Sequence, residues 1–184
     1  MNAEKQMLDA DFEELSDDEL IVLLAMSDRP MMKTRLQKIS LIYNEVFRDK
    51  NKESSHNAYF FGGYSDSIDE SATNLTDIGI LEYSQNGYSL TDYGEKLKKY
   101  VMDNWDDPAT ENVSKVVKSM SELPDKSIVG LTYYFYADTT KNSTIKASVD
   151  RINENAYFDG KKLTSISLEY FENKVRNGQV FKAG

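Results

Sequence analysis

The chain contains no cysteine, and this absence removes several kinds of chemistry at once. Disulfide frameworks and thiolate catalysis are excluded, and a reducing, cytoplasmic setting becomes the expectation. The single histidine, His56, lies in a polar stretch, so a histidine-based triad or zinc site lacks partners. No run of about 18 apolar residues occurs, and the first residues lack a basic start followed by an apolar segment. We therefore expect neither a membrane span nor a signal peptide.

Positive charge is scarce and unevenly distributed. The chain has 22 Lys and Arg against 31 Asp and Glu, for a net charge of −9. Residues 1–108 hold 22 acidic and 11 basic side chains, whereas residues 109–184 hold 9 and 11. Long-range electrostatics therefore repel the intact protein from phosphate backbones. The acidic residues 1–15 are interpreted as a solvated arm, with a DNA-mimicking or autoinhibitory arm as the alternative.

The stretch from Met32 to Val101 has the order helix, glycine break, helix, hairpin, helix, which is typical of a winged helix-turn-helix module. Asn86-Gly87 separates two short strand-like runs, and this dipeptide predicts a hairpin with a type I′ turn. Ser16 and Glu19 predict a capping box at the start of the first helix. The helices of this module are expected at about Asp17 to Met26, Met32 to Phe47, Asp66 to Ile78 and Asp92 to Met102.

Three details of this module can be checked against a structure. Met32, Leu36, Ile39, Tyr43 and Val46 form one apolar stripe on their helix. Ile68, Leu75 and Ile78 are expected to face the core from the next helix. The polar residues 48–56 read as a loop, and the aromatic run 59–61 as a short core strand or loop plug.

Beyond the boundary at 104–108, the chain reads as mainly helical. The segment Ile128 to Tyr136 fits either a helix or a strand, and we favour a helix because Asp125 can cap it. Asp159-Gly160 predicts a turn, and a last helix ends before Gly178. The predicted fold is thus mainly α with a small β-hairpin wing. It has an acidic arm (1–15), a winged-helix domain (16–104) and a helical C-terminal subdomain (109–184).

Four segments carry a family resemblance: 36–39 (Leu-Gln-Lys-Ile), the aromatic run into 62–65 (Gly-Gly-Tyr-Ser), Leu75 to Leu81, and 88–94 (Tyr-Ser-Leu-Thr-Asp-Tyr-Gly). With them, residues 16–103 resemble the YwgA-like group of prokaryotic proteins and are more distantly similar to SocA/Panacea-type antitoxin domains. The resemblance implies a winged-helix-like fold without enzymatic activity. It also implies an antitoxin or adaptor role through protein contacts. Gly63 stands where the family pattern has proline, so this turn is expected to be less rigid.

A DNA-associated regulatory role is the first functional hypothesis, because most winged helices bind nucleic acid; this is an analogy of fold. The helix expected to enter the major groove carries no Lys or Arg, so its carboxylates would repel phosphates. Contacts to nucleic acid would have to come from other elements. The candidates are Lys33, Arg35, Lys38, Asn86, Lys96 and Lys99, together with Lys98. A homodimer that places two copies of the Met32 helix end side by side would strengthen this hypothesis.

A protein-binding adaptor or antitoxin-like module is the alternative. An acidic helix beside several tyrosines suits a partner with basic and apolar groups, and tyrosine is frequent at interface hot spots. The candidate partner contacts are Tyr64, Asp66, Asp69, Glu70 and Tyr88. The absence of cations on the helix at 66–78 favours this alternative.

The sequence predicts neither an enzyme nor a cofactor or metal site. Gly62-Gly63 is not a phosphate loop, since no Gly-Lys-Ser/Thr follows. Asp66, Asp69 and Glu70 lack the glycine and the alternating oxygen ligands of an EF-hand loop. Helix capping explains these acids better.

Overall fold

A computed structural model describes residues 2–48, 56–59 and 62–184, and these residues are mainly helical. The α-helices are α1 (Ala3–Glu14), α2 (Asp17–Ala25), α3 (Lys33–Phe47), α4 (Asp66–Asp77), α5 (Asp92–Asn104), α6 (Ala109–Met120), α7 (Asp125–Phe135), α8 (Lys146–Asn153) and α9 (Leu168–Arg176). The strands are β1 (Asn57–Tyr59), β2 (Gly62–Tyr64), β3 (Leu81–Ser84), β4 (Gly87–Leu90), β5 (Tyr157–Phe158) and β6 (Lys161–Lys162), which pair as three antiparallel hairpins. Short 3₁₀ helices lie at Ala137–Thr140 and Leu163–Ser165.

Helix α2 lies at the centre of the fold. Its residues 20–25 are all buried, so it has no polar face toward solvent over those residues. It packs against α3, α4, α5 and α6. The predicted capping box at its start is confirmed: the Ser16 hydroxyl accepts from the Glu19 amide at 3.2 Å, and the Glu19 carboxylate accepts from the Ser16 amide at 2.9 Å. The two reciprocal bonds satisfy backbone donors that the first helical turn leaves open.

The wing hairpin β3–β4 forms where it was expected, but its predicted turn type is wrong. Ser84 pairs with Gly87, so Gln85 and Asn86 occupy the turn. A type I′ turn needs positive φ at both central residues. Among the described residues, the one non-glycine with positive φ is Asp159. Gly87, with φ of 106°, therefore follows the turn instead of lying inside it.

Met31, between α2 and α3, is joined to this hairpin by an isolated β-bridge. Met31 donates to the Tyr88 carbonyl at 2.8 Å and accepts from the Tyr88 amide at 2.9 Å. The close approach has a requirement at the neighbouring position. A side chain at Gly87 would overlap the Met31 carbonyl, so glycine is needed there for space as well as for its φ.

Three further expectations about helices can be scored. The segment at 128–136 is helical, as favoured, although its N-cap is Pro124 and Asp125 makes no capping bond. Ile68 and Leu75 are buried as expected, but the same expectation is wrong for Ile78, which is 63% exposed at the C-cap of α4. In the apolar stripe of α3, Met32 is the exception, with 43% exposed. Both exceptions lie at helix ends, where a periodic pattern says least about direction.

Residues on both sides of the predicted boundary at 104–108 contribute to one hydrophobic cluster. Helix α6 packs against α2, α3 and α9, and the Phe171 ring stacks on Phe135 with centroids 4.6 Å apart. The predicted turn at Asp159-Gly160 is present between β5 and β6, with φ of 52° and 73°. These values give the type I′ geometry that was expected at the wing. The predicted loop at 49–55 and the aromatics Phe60 and Phe61 lie outside the described residues.

We expect Gly87→Ala to lower the free energy of unfolding by about 2 to 5 kcal/mol, since it combines an unfavourable φ with overlap on Met31. Gly79→Ala is the matched control. Gly79 has φ of 79°, but a side chain there meets no atom within 4 Å, so the cost should be about 1 kcal/mol. Urea unfolding of both variants measures the difference. Equal costs would contradict the proposed close approach between the wing and residue 31.

Candidate functional site

Four of the cations proposed to contact nucleic acid, and Lys98 with them, form hydrogen bonds or ion pairs within the molecule, although Lys33 and Lys96 remain at the surface. Arg35 of α3 is the clearest case, with 18% of its side chain exposed. Its guanidinium donates to the carbonyls of Met120 and Leu123, both at 2.8 Å, and to Asp125 at 2.9 Å. Unpaired carbonyls at the end of a helix attract cations. Arg35 therefore serves the junction between α6 and α7.

Lys38 was expected off the apolar stripe of α3, but it is buried. Its ammonium donates to the Gly63 carbonyl at 3.0 Å and lies 5.8 Å from the centre of the Tyr133 ring. Burial lowers the pKa of Lys38 to about 8. Lys98 of α5 likewise donates to the Met26 carbonyl, at the end of α2. Neither residue presents a cation to solvent in the way that phosphate binding requires.

Gln37 and Lys38 of α3 both hydrogen-bond to the glycine-containing segment 62–65. The Gln37 amide donates to the Ser65 carbonyl at 3.0 Å and accepts from the Ser65 amide at 2.9 Å. A side chain at Gly62 would come within 2.7 Å of Tyr133, and one at Gly63 within 2.8 Å of Leu41. The segments 36–39 and 62–65, which carry part of the family resemblance, are therefore direct neighbours in space.

His56, expected in a polar loop without partners, is buried beside α3. One ring nitrogen lies 2.9 Å from the Ser40 hydroxyl, and the other lies 3.0 Å from the Asn44 amide. Burial, followed by the charges of Lys38 and Arg48, lowers the pKa of His56 to about 3. The arrangement places a serine beside a histidine, but the serine hydroxyl also donates to the Gln37 carbonyl and is buried. We interpret these contacts as a structural network that anchors residue 56 on α3.

The wing patch is the surface region formed by Met32, Lys33, Tyr64, Asp69 and Tyr83. The Lys33 ammonium lies 2.6 Å from the Asp69 carboxylate and 5.5 Å from the centre of the Tyr64 ring. Partial burial alone would lower the pKa of Lys33, but hydrogen bonds to Asp69 and Tyr64 outweigh it and raise the pKa. One predicted nucleic-acid contact is thus paired with two predicted partner contacts.

Aromatic surface continues from this ion pair onto the hairpin. Tyr83 packs on Tyr88 with ring centroids 4.7 Å apart. Tyr88, predicted as a partner contact, is buried, whereas 58% of Tyr83 is exposed. Tyr83 therefore replaces Tyr88 as the accessible ring. Met32, which is 43% exposed, follows Met31, the residue that bridges to Tyr88.

The acidic face lies along α4 and the start of α2, beside the wing patch. Its members are the carboxylates Asp18 and Glu19 of α2 and Asp66, Glu70 and Asp77 of α4. Two hydrogen bonds join the helices across it, from Ser67 to Asp18 and from Asn74 to Glu19. No Lys or Arg occurs in the sequence between Gly62 and Gly79. The face can accept hydrogen bonds and attract cationic groups, but it repels phosphate.

The remaining predicted contacts lie on α5 and at the tip of the β3–β4 hairpin. Lys96 is exposed, and its ammonium lies 2.6 Å from Glu4 of α1. Lys99, also exposed, lies three positions further along α5, so the two lysines are neighbours on that helix. Asn86 is exposed in the hairpin turn.

A groove of about 890 Å³ lies between the α2–α3 connection and the α6–α7 connection. Met32, Arg35 and Asp125 are among the residues that line it. Arg35 is already held by Asp125 and two carbonyls, and the groove is also lined by the exposed Arg29.

Within residues 2–48, 56–59 and 62–184, no three histidine or acidic side chains come together in a way that could hold a metal ion. In the same part of the chain, no helix is both long and apolar enough to cross a bilayer. Comparison with protein-family models, with curated proteins and with solved structures found no match to this chain.

Arg35→Ala should lower the free energy of unfolding by about 2 to 4 kcal/mol, because two carbonyls and Asp125 lose a charged donor in a partly buried setting. Lys99→Ala, at an exposed position on α5, should change it by less than about 0.5 kcal/mol. Chemical denaturation of the two variants separates a structural cation from a surface one. An Arg35→Ala protein as stable as the wild type would show that the junction does not need the guanidinium.

The buried histidine predicts a specific loss of stability in acid. The pKa of His56 is about 3 in the folded protein, against an ordinary value of 6.5. Between pH 6.5 and pH 3 the unfolded chain therefore binds a proton at His56 that the folded protein does not bind. The stability difference between wild type and His56→Gln should therefore fall as the pH falls from 6.5, by at most about 1.4 kcal/mol per pH unit. Denaturation at a series of pH values tests this. If the free energy of unfolding changed with pH in the same way for both proteins, His56 would have to take up its proton at the same pH in the folded and the unfolded state.

Proposed function

We propose that the chain is a non-enzymatic, winged-helix protein that binds a basic and partly apolar segment of another protein. The acidic face and the wing patch would form the docking surface. The single observation that carries the proposal is that an acidic α4 packs beside β3, which carries exposed Tyr83, while four of the six candidate nucleic-acid contacts already form hydrogen bonds or ion pairs within the molecule.

The order of elements supports the winged-helix part of the proposal. Helices α2, α3 and α4 precede the β3–β4 hairpin, and Met31 between the first two helices pairs with Tyr88 of that hairpin. A winged helix carries its wing next to a three-helix unit in this way. The hairpin β1–β2 would then be an insertion between α3 and α4.

The chemistry of the surface supports a protein partner. An aromatic ring with more than half of its surface exposed, a methionine and a rim of carboxylates together match the usual composition of an interface. A partner with Lys or Arg would meet Asp66 and Glu70, and its apolar residues would cover Tyr83 and Met32. Complementary charge of this kind sets specificity and the association rate.

A DNA-associated role is the second candidate, and the topology is the observation in its favour. Helix α4 takes the position of a recognition helix, and fold analogy then suggests nucleic acid. Exposed Asn86 and Lys99 would be its remaining contacts. The charge of the acidic face opposes this candidate.

The proposal is tested by selecting a displayed library of random peptides on the full-length protein. We expect basic sequences with aromatic or aliphatic residues to be enriched, and Asp66→Lys/Glu70→Lys should weaken their binding about tenfold or more. The matched control is Glu13→Lys/Glu14→Lys, which makes the same charge change on the exposed part of α1. Library members that bind the acidic-face variant as tightly as the wild type would overturn the proposal.

Fluorescence anisotropy with a labelled random duplex, at low and at moderate salt, tests the second candidate with the same proteins. We expect no binding at either salt concentration. Binding that falls steeply with salt, and that Lys99→Ala weakens, would replace the protein-partner proposal by the DNA-associated one.

A further inference from the structure

Helix α1 is attached to the rest of the molecule more lightly than the other long helices. None of its residues is buried. Leu8 and Phe12 are half-buried against the core, and Phe12 meets the Tyr100 ring edge-on with centroids 6.1 Å apart. Its principal neighbour is α5. Elements with few buried apolar contacts are the first to open in a native protein.

The face of α5 under this helix carries a line of hydrogen-bond donors, which we call the donor stripe: Tyr93, Lys96 and Tyr100. These residues are spaced by three and four positions, so they lie on one side of α5. Each of them meets a carboxylate of α1. The three contacts are Tyr93 with Asp11, Lys96 with Glu4 at 2.6 Å, and Tyr100 with Asp9.

The match between donors and acceptors is more specific than general charge attraction. Two of the three donors are neutral phenols, which each bind a single carboxylate oxygen. The Tyr93 pKa is raised, by burial first and then by the bond to Asp11, so its phenol remains a donor. The half-buried apolar residues of α1 lie beside these contacts. The stripe therefore recognises an acidic helix that also carries an aromatic or aliphatic strip.

We propose that the donor stripe of α5 is a docking surface for an acidic amphipathic helix of a partner protein, and that α1 occupies it as a competitor within the same chain. This surface is separate from the acidic face and has the opposite preference, so the inference does not depend on the proposed function. A tethered competitor acts at a high effective concentration and raises the threshold for binding in trans.

A helix fits this surface better than a nucleic acid does. Helix α5 carries three lysines and three acidic residues, so its formal charge is zero, and the whole chain carries a net charge of −9. Phosphate binding draws mainly on clustered cations. Alternating phenol and ammonium donors, one helical turn apart, match carboxylates on a second helix instead.

The experiment uses the full chain with Glu4→Gln/Asp9→Asn/Asp11→Asn, the arm variant. The probe is a fluorescent peptide of residues 2–15, which carries the acidic helix known to fit the stripe. We expect the amides of α1 to exchange hydrogen faster in the arm variant than in the wild type, with α2 to α9 unchanged. The peptide should bind the arm variant about tenfold or more tightly than it binds the wild type, because the tethered competitor has been weakened.

Controls assign the binding to the stripe. Glu13→Gln/Glu14→Gln neutralises exposed acids of the same helix and should change neither exchange nor binding. Lys96→Met in the arm variant should abolish binding, and so should the same three substitutions in the peptide. If the arm variant fails to fold, Tyr93→Phe/Lys96→Met/Tyr100→Phe removes the donors instead and should release α1 by the exchange measurement alone.

Three results would overturn the inference. Unchanged exchange of α1 in the arm variant would show that the carboxylates do not hold it. A released α1 without peptide binding would show that the stripe is not a docking surface. Binding of a labelled duplex in place of the peptide would assign the surface to nucleic acid.

Discussion

The burial of residues 20–25 of α2 is the constraint on which the arrangement of the other elements depends. A nine-residue helix with six consecutive buried side chains must be covered on every side. Helices α3, α4, α5 and α6 provide that cover, and residues from both halves of the sequence contribute to it. Most of the acidic face lies on the outer side of α4, and the donor stripe lies on the outer side of α5. Residues on the inner sides of these helices must pack on α2, whereas the outer sides can carry polar and charged residues.

Three cations in residues 1–108 satisfy backbone carbonyls. Arg35 holds the end of α6, Lys98 the end of α2, and Lys38 the Gly63 carbonyl. Buried or half-buried carbonyls are costly when unpaired, and a cation is the strongest donor available to them. These three side chains therefore stabilise junctions of the fold, whereas Lys33, Lys96 and Lys99 remain at the surface.

Much of the fold could be predicted from local signals. Periodicity located the helices after residue 16 but not α1, whose residues were interpreted as a solvated arm. The Ser16–Glu19 pair located the start of α2, and the Asn86-Gly87 dipeptide located the β3–β4 hairpin. The turn type of this hairpin was not predictable from that dipeptide, because the strand register pairs Gly87 with Ser84 and so leaves Gln85 and Asn86 in the turn. In the β5–β6 hairpin the register places Asp159 and Gly160 inside the turn, and both take positive φ.

The candidate site was less predictable, since its key contacts join residues far apart in sequence. The sequence around Arg35 contains no sign that this side chain contacts Met120 and Asp125 in the fold. One signal was present and unused: Gln37, Ser40 and Asn44 are polar residues at helical spacing on α3, and all three are buried. A polar stripe of that kind on an otherwise amphipathic helix indicates a buried hydrogen-bonded neighbour. His56 and Ser65 are those neighbours.

The bridge between Met31 and Tyr88 has a mechanical consequence. Because one residue is hydrogen-bonded through both its amide and its carbonyl, the wing cannot move away from the α2–α3 connection without breaking both bonds. Met31 is two residues before Lys33, whose ammonium holds Asp69 on α4. A pull applied at the tip of the hairpin would thus be carried by the backbone to the start of α3 and across the ion pair to α4. The β3–β4 hairpin and α4 would therefore move together about residue 31.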